Sequence, residues 1–149
     1  MGVLVHEVEI KLLKTHHVPE IIKVWEAAGL ELKPKGRDLK EKLIQQMSLS
    51  FIRFIGAFFG NALVGIVIVN HEGRKGWINR LAVLPEFQHK GIAAKLLKAA
   101  EKWLEDEGIG IFAALIMEKN FTSRRFFEKA KYVEFQGVCY YTKRLFPDV

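Results

Sequence analysis

Apolar residues recur along this chain with two different periods, and the switches between them outline a fold. In residues 7–13, Val8, Ile10 and Leu12 alternate with polar neighbours, the pattern of a strand. Over residues 16–29 the spacing becomes helical: Ile21, Ile22, Trp25 and Ala28 fall on one side, Pro19 suits the first turn and Gly29 the end. Residues 30–36 read as a loop containing Pro34 and Gly36, after which Asp38 is placed to cap a second helix reaching Met47. Residues 51–58 and 62–69 are β-rich runs joined by the turn Phe59-Gly60-Asn61, and a second turn over 70–76 leads into a strand over 77–83. Pro85 ends that strand, because it has no N–H to give the ladder.

The second half begins with the clearest helix, over residues 91–107. Ile92, Leu96, Leu97, Ala100, Trp103 and Leu104 form its apolar stripe, Lys95, Lys98, Lys102, Glu105 and Asp106 line the other side, and Gly108 suits its end. Residues 109–117 are near-continuously apolar and predict a fully buried strand. Strand, helix and strand in this order make a right-handed crossover between parallel strands. A helix over 122–130 and a closing pair of strands over 132–135 and 138–145 complete the pattern. The expected fold is α/β: a mixed sheet, antiparallel in the N-terminal half with a parallel β-α-β crossover in the C-terminal half, in one domain over residues 1–149.

Composition narrows the setting. Half the residues are hydrophobic and about a quarter charged, a globular balance. The longest apolar runs, 54–59 and 62–69, fall short of the ~20 residues a bilayer span requires, and the N-terminus lacks the order of a signal peptide. Cys139 is the single cysteine, which excludes an intramolecular disulfide and a thiolate metal cluster and points to a reducing cytoplasm, with no metal expected. The formal net charge of +6 suits a polyanion or a phosphorylated cofactor, but the basic residues form no run of five, which argues against nucleic acid.

The segment with chemical content is Leu84-Pro85-Glu86-Phe87-Gln88-His89-Lys90-Gly91-Ile92-Ala93-Ala94, which joins a strand to the strong helix. A helix N-terminus offers unpaired N–H groups and the positive end of the dipole, together an anion cradle. Gly91 admits close backbone approach, Ala93 keeps the first turn small, and His89 and Lys90 add charge at the rim. Read from residues alone, the segment fits a pyrophosphate site and an ordinary strand–helix connection equally well.

Gln88-His89-Lys90-Gly91-Ile92-Ala93 resembles the Arg/Gln-x-x-Gly-x-Gly/Ala signature of the GNAT superfamily of N-acetyltransferases, and it follows Leu81-Ala82-Val83-Leu84-Pro85-Glu86 as the family signature follows its strand. Asn120 and Phe126-Phe127-Glu128-Lys129 resemble the family's later Asn…aromatic-Glu-Lys helix. The element order agrees over nearly the whole chain, with residues 78–132 the specific part. The resemblance implies acetyl-CoA as co-substrate, an amine acceptor, direct attack of the amine on the thioester, and pairing of two copies as a homodimer. It implies that backbone at Leu81, Ala82 and Val83 pairs with the pantetheine arm, with a bulge N–H serving as oxyanion hole; that N–H groups of Gln88, His89, Lys90, Gly91, Ile92 and Ala93 hold the pyrophosphate; and that Asn120 bonds the arm, a role that competes with capping the helix after it. Phe127 occupies the cofactor-side position at which many members carry a tyrosine acid.

The sequence departs from the family there, since Phe127 has no proton to give, and the strand on which some members place a glutamate base is apolar until Glu118. The catalytic side chains are therefore unassigned. Tyr132, Tyr140 and Tyr141 are candidate substitutes, although half-buried strand aromatics is the reading preferred for all three. Glu86, Asn79 and Arg80 flank the site, Arg124 and Arg125 lie on the late helix, and Cys139 reads as a small buried hydrophobe. Trp25, Lys33, Lys35 and Arg37 near the first loop are compatible with an anionic acceptor. Two alternatives stand beside the N-acetyltransferase: a non-catalytic acyl-CoA-binding module, motivated by Phe127, and a nucleic-acid-binding domain, motivated by charge.

Overall fold

A computed structural model describes residues 2–149. Five strands form one sheet in sequence order: β1 (Val8–Leu12), β2 (Ile52–Phe59), β3 (Ala62–His71), β4 (Gly76–Val83) and β5 (Phe112–Ala113). The first four are antiparallel neighbours and β5 joins β4 in parallel, so the expected mixed sheet with its crossover is observed. The helices are α1 (Val18–Ala27), α2 (Lys40–Met47), α3 (Ile92–Asp106) and α4 (Phe121–Lys129).

The apolar residues of β2 and β3 cover both sheet faces, which divides the core in two. Phe54, Phe58, Ile66 and Ile68 meet Val18, Ile21, Val24 and Trp25 of α1 and Leu43 of α2. Ile55, Ala57, Val64, Val67 and Val69 meet Ile92, Leu96, Leu97, Ala100 and Leu104 of α3 and Phe127 of α4. The stripe read from the sequence is thus the buried side of α3, apart from the half-covered Trp103. Where α3 crosses the start of β4 the spacing is close: a Cβ added to Gly76 would come within 2.5 Å of Leu104 Cδ1.

Three local expectations need correction. Asp38 does not cap α2, whose N-cap is Leu39; its carboxylate instead accepts the Lys33 N–H at 2.8 Å. The strand over 109–117 contracts to the two residues of β5, and Leu115 and Met117 are exposed. The closing pair of strands does not form: Gln136 and Gly137 turn, with Gly137 at φ 81°, but the flanking residues join no ladder and Val133, Phe135, Val138, Tyr140 and Tyr141 are exposed. The reasons are linked, because alternation yields a strand only where a neighbour supplies rungs and cover, and β5 ends before it can offer an edge.

What secures the end of α4 is a side-chain bond. Tyr132 packs edge-on against Phe127, with ring centroids 5.0 Å apart, and its hydroxyl donates to Glu101 Oε2 of α3 at 2.7 Å. Burial first, and then the Glu101 carboxylate, push the Tyr132 hydroxyl well above its usual pKa.

Two outcomes are expected. Leu104 is fully buried, so Leu104→Ala should cost roughly 2–5 kcal/mol in denaturant unfolding. The folded chain holds the Tyr132 proton at pH values where the unfolded chain, with a tyrosine pKa of ~10, has lost it. That contribution is complete below pH ~10 and is lost as pH rises further. The wild-type melting temperature should therefore fall more steeply above pH ~10 than that of Tyr132→Phe, whereas parallel slopes would sink this reading.

Candidate active site

The site is built where β4 loses its neighbour. β4 and β5 pair only through Gly76–Phe112 and Trp77–Ala113, so from Ile78 to Val83 the β5 side of β4 has no strand beside it among the described residues. Along this open stretch the register with β3 shifts. Ile68 faces Asn79 and Ile66 faces Ala82, which leaves Arg80 and Leu81 together opposite Val67. This is a β-bulge, with Arg80 in the left-handed region at φ 52°.

The bulge reverses the alternation of side chains. Ile78 belongs to the core under α3, and strict period-2 geometry would send Arg80 to that side. Arg80 instead reaches the α1 face, with its guanidinium carbon 5.1 Å from the Trp25 ring centroid. Beyond the bulge Val83 is on the α3 side and Ala82 on the α1 side. Asn79 donates from Nδ2 to Oδ1 of Asn70 across the ladder at 2.7 Å, which fixes the bulge from its other end.

The open edge runs directly into the loop before α3. Pro85–Phe87 forms a single 3-10 turn, closed by the Phe87 N–H donating to Leu84 O at 2.9 Å. Gln88 is a brace: its Nε2 donates to Val83 O at 3.0 Å, and its N–H reaches Pro85 O at 3.3 Å. His89 and Gly91 both take positive φ, 60° and 83°. The first bond of α3 closes from the Lys95 N–H to Gly91 O at 3.1 Å, so the N–H groups of Ile92, Ala93 and Ala94 lie ahead of the ladder. Those of His89, Lys90 and Gly91 have no backbone acceptor among the described residues. A helix dipole and a row of free donors give this terminus the chemistry that suits an anion.

Gly91 is required for a reason the sequence did not suggest. Its missing Cβ would point toward Val5 at 3.6 Å, an ordinary contact, so the torsion rather than crowding demands glycine. Val5 belongs to the N-terminal segment, which Lys95 holds against the start of α3 by donating from Nζ to Val5 O at 3.2 Å and to Val8 O.

The other residues singled out by sequence are scattered. Asn120 caps α4, its Oδ1 accepting the Ser123 N–H at 3.1 Å. Phe127 is buried against Phe126 and Tyr132. Arg124 is engaged by Glu118 O at 3.0 Å and Glu134 Oε2 at 3.1 Å, while Arg125 is exposed. Tyr132 is committed to Glu101, and Tyr140 and Tyr141 project from an irregular segment. Cys139, read as a buried hydrophobe, is exposed. Of the residues near the first loop, Trp25 is fully buried beneath Arg80 and Lys33 pairs with Glu31 at 2.8 Å.

Known proteins share this arrangement. The acetyltransferase YE1169 of Yersinia enterocolitica is 30% identical over 143 residues, covering 94% of this chain and 97% of its own. The crystal structure of the PaiA N-acetyltransferase of Thermoplasma acidophilum in complex with coenzyme A superposes with a TM-score of 0.73 at 26% identity, covering 83% of this chain and 87% of that one. An aminoglycoside acetyltransferase from an uncultured soil metagenomic sample, in complex with sisomicin, has the same fold, with a TM-score of 0.77 at 19% identity over 93% of this chain and 97% of that one. The model of the acetyltransferase (GNAT) family matches residues 18–132, well over half the sequence. With that match and a relative at 30% identity, the chain belongs to the GNAT family of acetyltransferases.

Proposed function

We propose that this acetyltransferase moves an acetyl group from acetyl-CoA to a primary amine by direct attack on the thioester. The observation that carries the reading is the continuity of the unpaired edge of β4 with the free N–H groups that open α3. A pantetheine arm is a chain of amides, and a strand edge offers it donors and acceptors in register. In this reading Leu81, Ala82 and Val83 supply that edge, and the N–H groups of His89, Lys90, Gly91, Ile92 and Ala93 receive the pyrophosphate. Gln88 acts as a brace through its side chain. Asn120 would bond the arm through the amide nitrogen that its capping leaves over, and Phe127 walls the site from within the core. The Thermoplasma relative is in complex with coenzyme A, which supports coenzyme A as the ligand class.

The thioester supplies a carbonyl carbon open to attack and a thiolate leaving group. Backbone at the bulge would stabilise the developing oxyanion, where one well-placed donor is worth ~10²–10³ in rate. As the C–N bond forms, the C–S bond breaks. The amine's proton passes to water, and the thiolate, whose acid has a pKa near ~8.5, leaves without a dedicated proton donor. This suits a chain in which the Tyr132 hydroxyl is held by Glu101 and Phe127 stands at the late-helix position. An acceptor amine already partly neutral near pH 7 needs least help, which favours α-amines (pKa ~7.7–8.0) and similar amines over an ordinary lysine at ~10.4.

Calorimetric titration with acetyl-CoA and thiol release with a panel of amines (sisomicin, a small diamine, lysine and an alanyl peptide) test the proposal together. Wild type should bind at micromolar concentration and release thiol with at least one amine. Gly91→Glu and Ala94→Glu should each weaken binding more than about tenfold. Ala94→Glu is the cleaner variant, because Ala94 is exposed and an acidic residue in the first turn favours the helix while repelling a phosphate. Unchanged affinity in a folded Ala94→Glu would rule out the pyrophosphate site at this helix.

A further inference from the structure

Arg80 is the most heavily constrained side chain outside the core, and nothing in the transfer chemistry accounts for it. Its Nη2 donates to both carboxylate oxygens of Asp38, at 3.0 and 2.8 Å, and its Nη1 donates to Glu31 O at 2.9 Å. The guanidinium plane lies over Trp25. Asp38 is the one charged residue among the buried positions of the described chain, and it takes a further bond from the Lys33 N–H. These partners come from the loop between α1 and α2, more than forty residues earlier in sequence, while Arg80 comes from the bulge.

A buried ion pair is a poor source of stability, since apolar residues of the same volume commonly do as well, and a common use is to fix one arrangement among several. A left-handed φ at a residue other than glycine persists only where the surroundings over-determine it, and such strain gathers at functional sites. Both features meet in Arg80. Three of its hydrogen bonds, those to Asp38 and to Glu31 O, go to the 30–39 loop.

We propose that Arg80 and Asp38 are positioning residues for acetyl transfer. Their bidentate pair holds the β4 bulge in the conformation that aims its backbone at the thioester oxygen. It also ties the 30–39 loop to that bulge, so acceptor side and cofactor side share one reference point. The inference rests on the function proposed above and adds that this pair acts on the chemical step and leaves cofactor binding alone.

The test is steady-state kinetics with whichever amine of the panel the wild type acetylates, alongside acetyl-CoA calorimetry and thermal melting, on Arg80→Gln, Arg80→Lys, Arg80→Gly, Asp38→Asn and the double variant Arg80→Gln/Asp38→Asn. Displacing a catalytic group by an ångström can cost about 10²-fold, and kcat should fall toward that extent in Arg80→Gln and Asp38→Asn. Acetyl-CoA affinity should stay within about threefold of wild type. The double variant should be no slower than the worse single, as expected for one shared interaction, and Arg80→Lys should recover part of the loss. Arg80→Gly tolerates φ 52° without strain but loses the tie that fixes the bulge there; it should fold and still be slow. Wild-type kcat in folded Arg80→Gly, or a loss of kcat matched by an equal loss of acetyl-CoA affinity, would overturn the positioning role while leaving the acetyltransferase intact. A wild type that binds no acetyl-CoA would overturn both.

Discussion

Two parallel strands that start together must either stay paired or expose their backbone, and β4 and β5 part after two rungs. The exposed edge would be a liability in most sheets, open to any passing strand. Here it lies between the α3 layer and the bulge. The parting also fixes where charge can be received, because β4 ends in the loop that delivers the first turn of α3. In the proposed reading, cofactor pairing and phosphate binding both follow from that one early separation. Gly76, which lets α3 lie close over the start of β4, sits at the rung from which the separation begins.

The bulge translates that backbone event into side chains. By reversing the alternation it leaves Ile78 and Val83 in the core under α3 while directing Arg80 to the opposite face, over Trp25. A straight β4 would place a guanidinium in the apolar cluster beneath α3. Desolvation makes that arrangement costly, so the sequence itself selects the bulged form. The indole N–H of Trp25 is buried beside the Arg80–Asp38 pair and has no acceptor among the described residues.

Much of this was legible in the sequence, and the exceptions have common causes. α3 could be read because its apolar stripe has both period and length, and the meander because its turns carry Gly60 and Gly73 at positive φ. The loop before α3 could be located from the residues of its signature, although the demand for glycine at 91 is torsional. Asp38 could not be read correctly, because a residue shaped for a cap is also shaped for an ion pair, and its partner stands 42 positions away. Arg80 carried no local signal, since a bulge depends on the register of two strands. The closing strands were misread because Val138, Tyr140 and Leu145 have β-type chemistry without an edge to join. Tyr132 is half-buried as its aromatic character suggests, but it lies in no strand, and its tie to Glu101 depends on the relative position of α3 and α4.

The exposure of Cys139 bears on how such a transferase is followed. The proposed reaction liberates one thiol per acetyl group moved, and a disulfide reagent that reports that thiol also meets the protein's own. Each chain therefore contributes a fixed stoichiometric offset before any turnover, on an irregular segment apart from β4 and the loop before α3. The same geometry makes Cys139 a single addressable position, where a fluorophore or spin label would report on the C-terminal segment without entering the core.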